Sequence, residues 1–98
     1  MAPGLQQLRD AIDKIDRQIV ELLAERLRLV IKVGELKLAH QLPVYDPNRE
    51  RELIERVTRA VADPMTPGMA QRIFECIIQE SRSLEQKHVT DSTPPPKP

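Results

Sequence analysis

Aromatic side chains are nearly absent from this chain of 98 residues: Tyr45 and Phe74 are the two, and there is no tryptophan. That excludes a base-stacking platform for single-stranded nucleic acid. An excess of either charge is also missing. Lys and Arg total 15, Asp and Glu total 15, and the formal net charge is zero. A generic nucleic-acid or polyanion binder would show a basic surplus. Cysteine occurs once, at Cys76, so no intrachain disulfide can form. It lies in the apolar stretch RIFECII, where a buried structural thiol is expected. His40 and His88 stand apart, and no metal-ligand spacing is present. The three glycines form no phosphate-cradling loop. No apolar run is long enough to span a membrane and no secretory signal is visible, so the cytoplasm is the expected compartment.

What is present is helix. Leu5, Leu8, Ile12, Ile15, Ile19 and Leu22 alternate three and four apart, a heptad-like stripe. The spacing predicts a helix from about Leu5 to about His40, roughly 50 Å long at about 1.5 Å per residue. QLPVYDPN breaks it. Asp46-Pro47 reads as an N-cap followed by proline at the first helical position. A second helix is predicted from about Pro47 to Ala62, with Leu53, Ile54, Val57, Ala60 and Val61 inward. Arg51–Glu55, Glu52–Arg56 and Glu55–Arg59 are candidate solvent-side pairs. Thr66-Pro67 repeats the cap signal and opens a third helix, to about His88. The fold class is therefore all-α: one long helix and two shorter ones. Residues 1–89 form the helical domain, and the Pro-rich stretch at 90–98, TDSTPPPKP, reads as a disordered tail. The two short helices can cover only part of the long one, so a partner chain is expected.

The informative residues are those that break the stripes. Continuing the alternation from Leu22 lands on Arg26, then Leu29 and Val33. Lys37 shares the face of Arg26, roughly 16 Å further along. A buried cation is costly unless paired. Pairing with Asp46 and Glu50, or snorkelling to water, is the ordinary explanation. A ligand is the other. Arg9 lies roughly 25 Å from Arg26 on the same rigid helix and reads as a surface residue by itself. An antiparallel partner chain could bring its own Arg9 to Arg26 and Lys37. With Arg49 added, such a pocket suits a small dicarboxylate, because the guanidinium fork matches a carboxylate. Asp46, Glu50, Ser81 and Glu85 could then read hydroxyl or ether groups. The third helix carries Ser81 and Glu85 at the end of a stripe begun by Ala70, Ile73, Phe74, Ile77 and Ile78.

Together, LRDAIDKIDRQIVELLAERLRLVIKVGELK, PVYDPNRERELIERV and IFECIIQESRSLEQ resemble the all-helical chorismate mutases. The resemblance covers roughly Leu5 to Gln86. It implies an intertwined homodimeric helical bundle of three-helix chains, with Arg9 supplied in trans to each of two active sites. It implies that Arg9, Arg26 and Lys37 hold the two carboxylates of chorismate, and that Lys37 also reaches its ether oxygen. Asp46 and Arg49 match the connecting segment, Glu50 would bind the C4 hydroxyl, and Ser81 matches the last helix. Glu85 stands where bacterial members often carry glutamine and some fungal members glutamate. A glutamate can donate to the ether oxygen only when protonated; burial favours that form and neighbouring cations oppose it.

The implied reaction is the Claisen rearrangement of chorismate to prephenate in aromatic amino acid biosynthesis. It needs no cofactor or metal. Lys37, Glu85 and Arg26 would carry the catalysis. Alternatives on the same scaffold are an isochorismate pyruvate lyase or a 4-amino-4-deoxychorismate mutase. A noncatalytic helical dimerisation or regulatory module is the reading from a different class. None of these implies a nucleic-acid or membrane partner.

Overall fold

The computed structural model describes residues 4–92, which form three helices and no strand: α1 (Leu5–Ala39), α2 (Pro47–Arg59) and α3 (Pro67–Ser92). Gly4 precedes α1 in extended backbone, and its N–H donates to Gln7 Oε1 at 2.9 Å. The far end of α1 closes by a six-residue reversal. Leu42 N–H donates to Lys37 O at 2.7 Å and Gln41 N–H to Leu38 O at 3.2 Å. Both bonds satisfy carbonyls that a helix C-terminus otherwise leaves open. Gln41 takes φ 56°, the left-handed conformation usually given to glycine at this place.

The two proline-led starts form as the sequence predicts. Asp46 Oδ1 accepts the N–H of Arg49 at 3.1 Å, and Thr66 Oγ1 accepts that of Met69 at 3.2 Å. Two ends differ. α2 stops at Arg59 rather than Ala62. Ala60 N–H is shared between Arg56 O at 3.1 Å and Val57 O at 3.2 Å, a tightened last turn that leads into Asp63-Pro64. α3 runs to Ser92, four residues beyond His88. Nothing between Lys87 and Ser92 is glycine or proline, so no residue there breaks the helix. The segment expected to be a disordered tail is thus helical at 90–92, and its remainder, 93–98, lies outside the described residues.

α3 packs against both α1 and α2, which make no direct packing contact with each other among the described residues. Its buried positions Ala70, Ile78, Ser81 and Glu85 follow the predicted stripe. Gly34 is the buried residue of α1, and it lies against α3. A Cβ there would stand 3.0 Å from Glu85 Cγ and 3.6 Å from Val89 Cγ2.

The N-terminal half of α1 projects from this junction, giving extents of 71 × 26 × 17 Å. Leu5, Leu8, Ile12, Ile15, Ile19 and Leu22 are between 48% and 65% exposed. An apolar stripe of that length is far more than a soluble monomer ordinarily leaves bare. Cys76 departs from expectation as well: it is exposed. Its apolar neighbours Leu23, Leu27 and Ile77 line an open groove between α1 and α3 rather than a closed core. The three predicted i,i+4 pairs on α2 are not among the ion pairs of the described residues. Arg51 turns instead to Asn48 Oδ1 at 2.7 Å.

Candidate active site

One cavity of about 170 Å³ opens where α1, the α1–α2 connection, the start of α2 and the second half of α3 meet. Val30, Val33, Val44, Leu53 and Ile78 form its apolar walls. Three cations named from the sequence border it: Arg26, Lys37 and Arg49. So do Asp46, Glu50, Ser81 and Glu85. Arg9 does not. It sits on the exposed arm of α1, roughly 25 Å from Arg26 along the helix.

Local geometry explains how each group gets there. Arg26 and Lys37 are eleven residues apart on α1, about three turns, so they share a face. Arg26 Nη1 donates to Ser81 Oγ at 2.6 Å, and Ser81 Oγ donates to Ile77 O at 2.6 Å on its own helix. The serine hydrogen is therefore spent internally, and its oxygen steers the guanidinium. Burial, and secondarily the Arg49 charge, pulls the Arg26 pKa below its ordinary value. No ion pair among the described residues joins Arg26 to a carboxylate. Two adjacent guanidinium charges, one part-buried and held by a neutral hydroxyl, are poised to take up an anion.

Lys37 has a different partner from the one the sequence suggested. Its Nζ donates to Val44 O at 2.8 Å and lies 2.9 Å from Glu85 Oε1. Glu85 is 7% exposed. Its Oε1 is at ion-pair distance from Lys37, yet no hydrogen bond of proper geometry reaches that oxygen. A buried acceptor with unfilled capacity thus faces the lysine. Asp46 is occupied as the helix cap, and Glu50 pairs with Arg82 rather than with Arg26 or Lys37.

Arg82 is the residue that the sequence reading passed over. Its Nη2 lies 3.2 Å from Glu50 Oε1, and its Cζ stands 4.7 Å from the centroid of the Tyr45 ring. It lines the cavity beside Ser81 and Glu85. The available signal was its i+4 spacing from Ile78, which carries it along the inward face of α3. Gly34 was visible only as part of a motif. Its physical reason, the close passage of Glu85, needed the packed helices.

The cavity thus combines cations, carboxylates and apolar walls. This is an all-helical domain with one cation-lined cavity between its helices. The family described as chorismate mutase type II matches residues 8–86, and the chain belongs to that family. The bifunctional chorismate mutase/prephenate dehydratase of Escherichia coli K12 is 37% identical over 95 residues, covering 92% of this chain and 25% of that protein. The chorismate mutase of Methanocaldococcus jannaschii is 28% identical over 93 residues, covering 94% of each. Among solved structures, a chorismate mutase from Thermus thermophilus superposes with a TM-score of 0.83 at 36% identity, covering 85% of this chain and 94% of that one. The chain spans about a quarter of the length of the Escherichia coli protein and of the T-protein of Enterobacter agglomerans, which it also matches. Among the described residues no helix is long and apolar enough to cross a membrane.

Proposed function

We propose that this chain is a chorismate mutase, an isomerase converting chorismate to prephenate on the way to phenylalanine and tyrosine, with the cytoplasm as its compartment. The observation that carries the reading is the convergence of Arg26, Lys37 and Arg49 with Ser81, Glu50 and Glu85 around one cavity. Membership of the family and the names of the relatives support it.

The reaction is unimolecular. One C–O bond breaks as one C–C bond forms, so the site must hold a chair-like conformer and stabilise separating charge. Arg26 and Arg49 clamp the carboxylates, with a second chain's Arg9 completing the set. Negative charge grows on the ether oxygen as its bond to the ring breaks. Lys37 meets that charge, and protonated Glu85 donates to the same oxygen. Glu50 accepts from the ring hydroxyl. These are positional and preorganised electrostatic effects.

The working unit in this proposal is an intertwined homodimer. The bare stripe from Leu5 to Leu22 supports it, because a second copy of α1 is the surface that matches this stripe in length and chemistry.

The test is direct. Purified protein should consume chorismate and yield prephenate. Lys37→Ala and Arg26→Ala should each lose at least about a hundredfold in kcat/KM, the scale of removing one charge-stabilising group. Their helix content and oligomeric state should match the unaltered protein. Full activity in either variant would remove that residue from the mechanism, and no turnover of chorismate by the unaltered protein would sink the reading.

A further inference from the structure

Lys37 can meet one ether oxygen only if its ammonium is held in one direction. The lysine itself supplies none, since its stem is flexible and its hydrogens are equivalent. Glu85 Oε1 lies 2.9 Å from Nζ but not in hydrogen-bond geometry. The direction comes from Val44 O, which accepts from Nζ at 2.8 Å. That carbonyl lies in the α1–α2 connection, where residues 43–45 make no backbone–backbone hydrogen bond among the described residues. Nor do α1 and α2 pack on each other to hold it. What tethers the connection is the next residue. The Tyr45 ring lies under the Arg82 guanidinium of α3, with 4.7 Å from Cζ to the ring centroid. Arg82 is itself tied to Glu50 in the first turn of α2, at 3.2 Å.

We infer that Tyr45 is a positioning residue for Lys37: held by Arg82, it fixes the Val44 carbonyl that aims the ammonium. The inference rests on the mutase reading and deepens it. The link from ring to carbonyl is covalent. Val44 C=O and the Cα of Tyr45 belong to one planar peptide unit, so a tethered Tyr45 leaves that carbonyl little freedom to turn away. Val44 and Lys37 border the cavity and Tyr45 does not, so the ring acts on the reaction through its neighbours rather than by touching substrate. Tyr45 is 53% exposed and the Arg82 side chain 41%. Solvent therefore keeps the stack at the low end of cation–π strength, and the expected effect is correspondingly small.

Steady-state kinetics with chorismate test this on the unaltered protein, Tyr45→Ala, Tyr45→Phe and Arg82→Leu, with circular dichroism and oligomeric state recorded for each. Tyr45→Ala should lower kcat by about two- to fivefold, the factor that an exposed cation–π contact supplies. KM should stay nearly unchanged, because Lys37 meets charge that grows only in the transition state. Tyr45→Phe keeps the ring face and should keep the activity. Tyr45→Ala should add no loss in an Arg82→Leu background, where the stack is already gone. It should add none in a Lys37→Ala background either, where there is no ammonium to aim. Unimpaired kcat in Tyr45→Ala overturns the inference. So does an equal loss from Tyr45→Ala in the Lys37→Ala background, which is what a merely structural role predicts. Absence of chorismate turnover by the unaltered protein would instead bring down the mutase reading on which it stands.

Discussion

Lys37 Nζ and Glu85 Oε1 face each other at 2.9 Å across the α1–α3 interface. The contact joins a lysine anchored on Val44 O to a carboxyl that is almost fully buried. In the proposed reaction both groups must address one ether oxygen, and they can do so only if Glu85 carries a proton. Activity is therefore expected to fall as pH rises, because the ionised carboxylate opposes charge growing on the ether oxygen. Glu85→Gln keeps a donor at every pH and should flatten the profile. The check is kcat/KM for both proteins across acid to mildly alkaline pH. A flat profile for the unaltered protein would remove the proton from the mechanism.

Gly34 sets how closely α3 can bring Glu85 to Lys37. Gly34→Ala places a Cβ 3.0 Å from Glu85 Cγ, so the glutamate must shift by a few tenths of an ångström. Helix propensity favours alanine by about 1 kcal/mol, which offsets much of the crowding. The expected result is little change in Tm together with a clear drop in kcat. Thermal melts and steady-state kinetics on the same sample separate the two effects. A variant with unimpaired turnover would mean that the exact position of Glu85 is unimportant.

Gln41 holds a left-handed conformation at the end of α1, where a side chain brings strain that glycine lacks. Gln41→Gly should stabilise the fold by up to about 1 kcal/mol, the usual scale of that strain. Activity should be unchanged, since the reversal bonds of Leu42 and Gln41 N–H remain available. Chemical denaturation tests this, and a lowered midpoint would refute it.

The parts of the site legible in the sequence were those marked by a local rule or a broken pattern. Asp46-Pro47 announced the start of α2, and the cap formed. Arg26 and Lys37 stood out because they interrupt an apolar stripe, and Ser81 and Glu85 because they end one. The resemblance to a family then supplied the proposal for what such a set is for. Arg82 carried only the weak signal of its spacing from Ile78, because its partner Glu50 is 32 residues away. Pairing was misassigned for a related reason. Lys37 had several acids within plausible reach, and only the packed helices selected Glu85. Cys76 misled because apolar neighbours in sequence became the walls of an open groove. The left-handed Gln41 had no signature at all, since glycine is the residue that marks such a position.

The long bare arm of α1 has a genetic consequence. If each pocket borrows Arg9 from its neighbour, the damage done by Arg9→Ala and the damage done by Lys37→Ala fall in different places within a mixed pair. One pocket of that pair would inherit both lesions, and the other would inherit neither. Two inactive proteins, unfolded together and refolded as an equal mixture, should then recover roughly a quarter of the full complement of intact pockets, as random pairing of two subunit types dictates. Arg26→Ala mixed with Lys37→Ala should recover none, because those two residues serve the same pocket from the same chain.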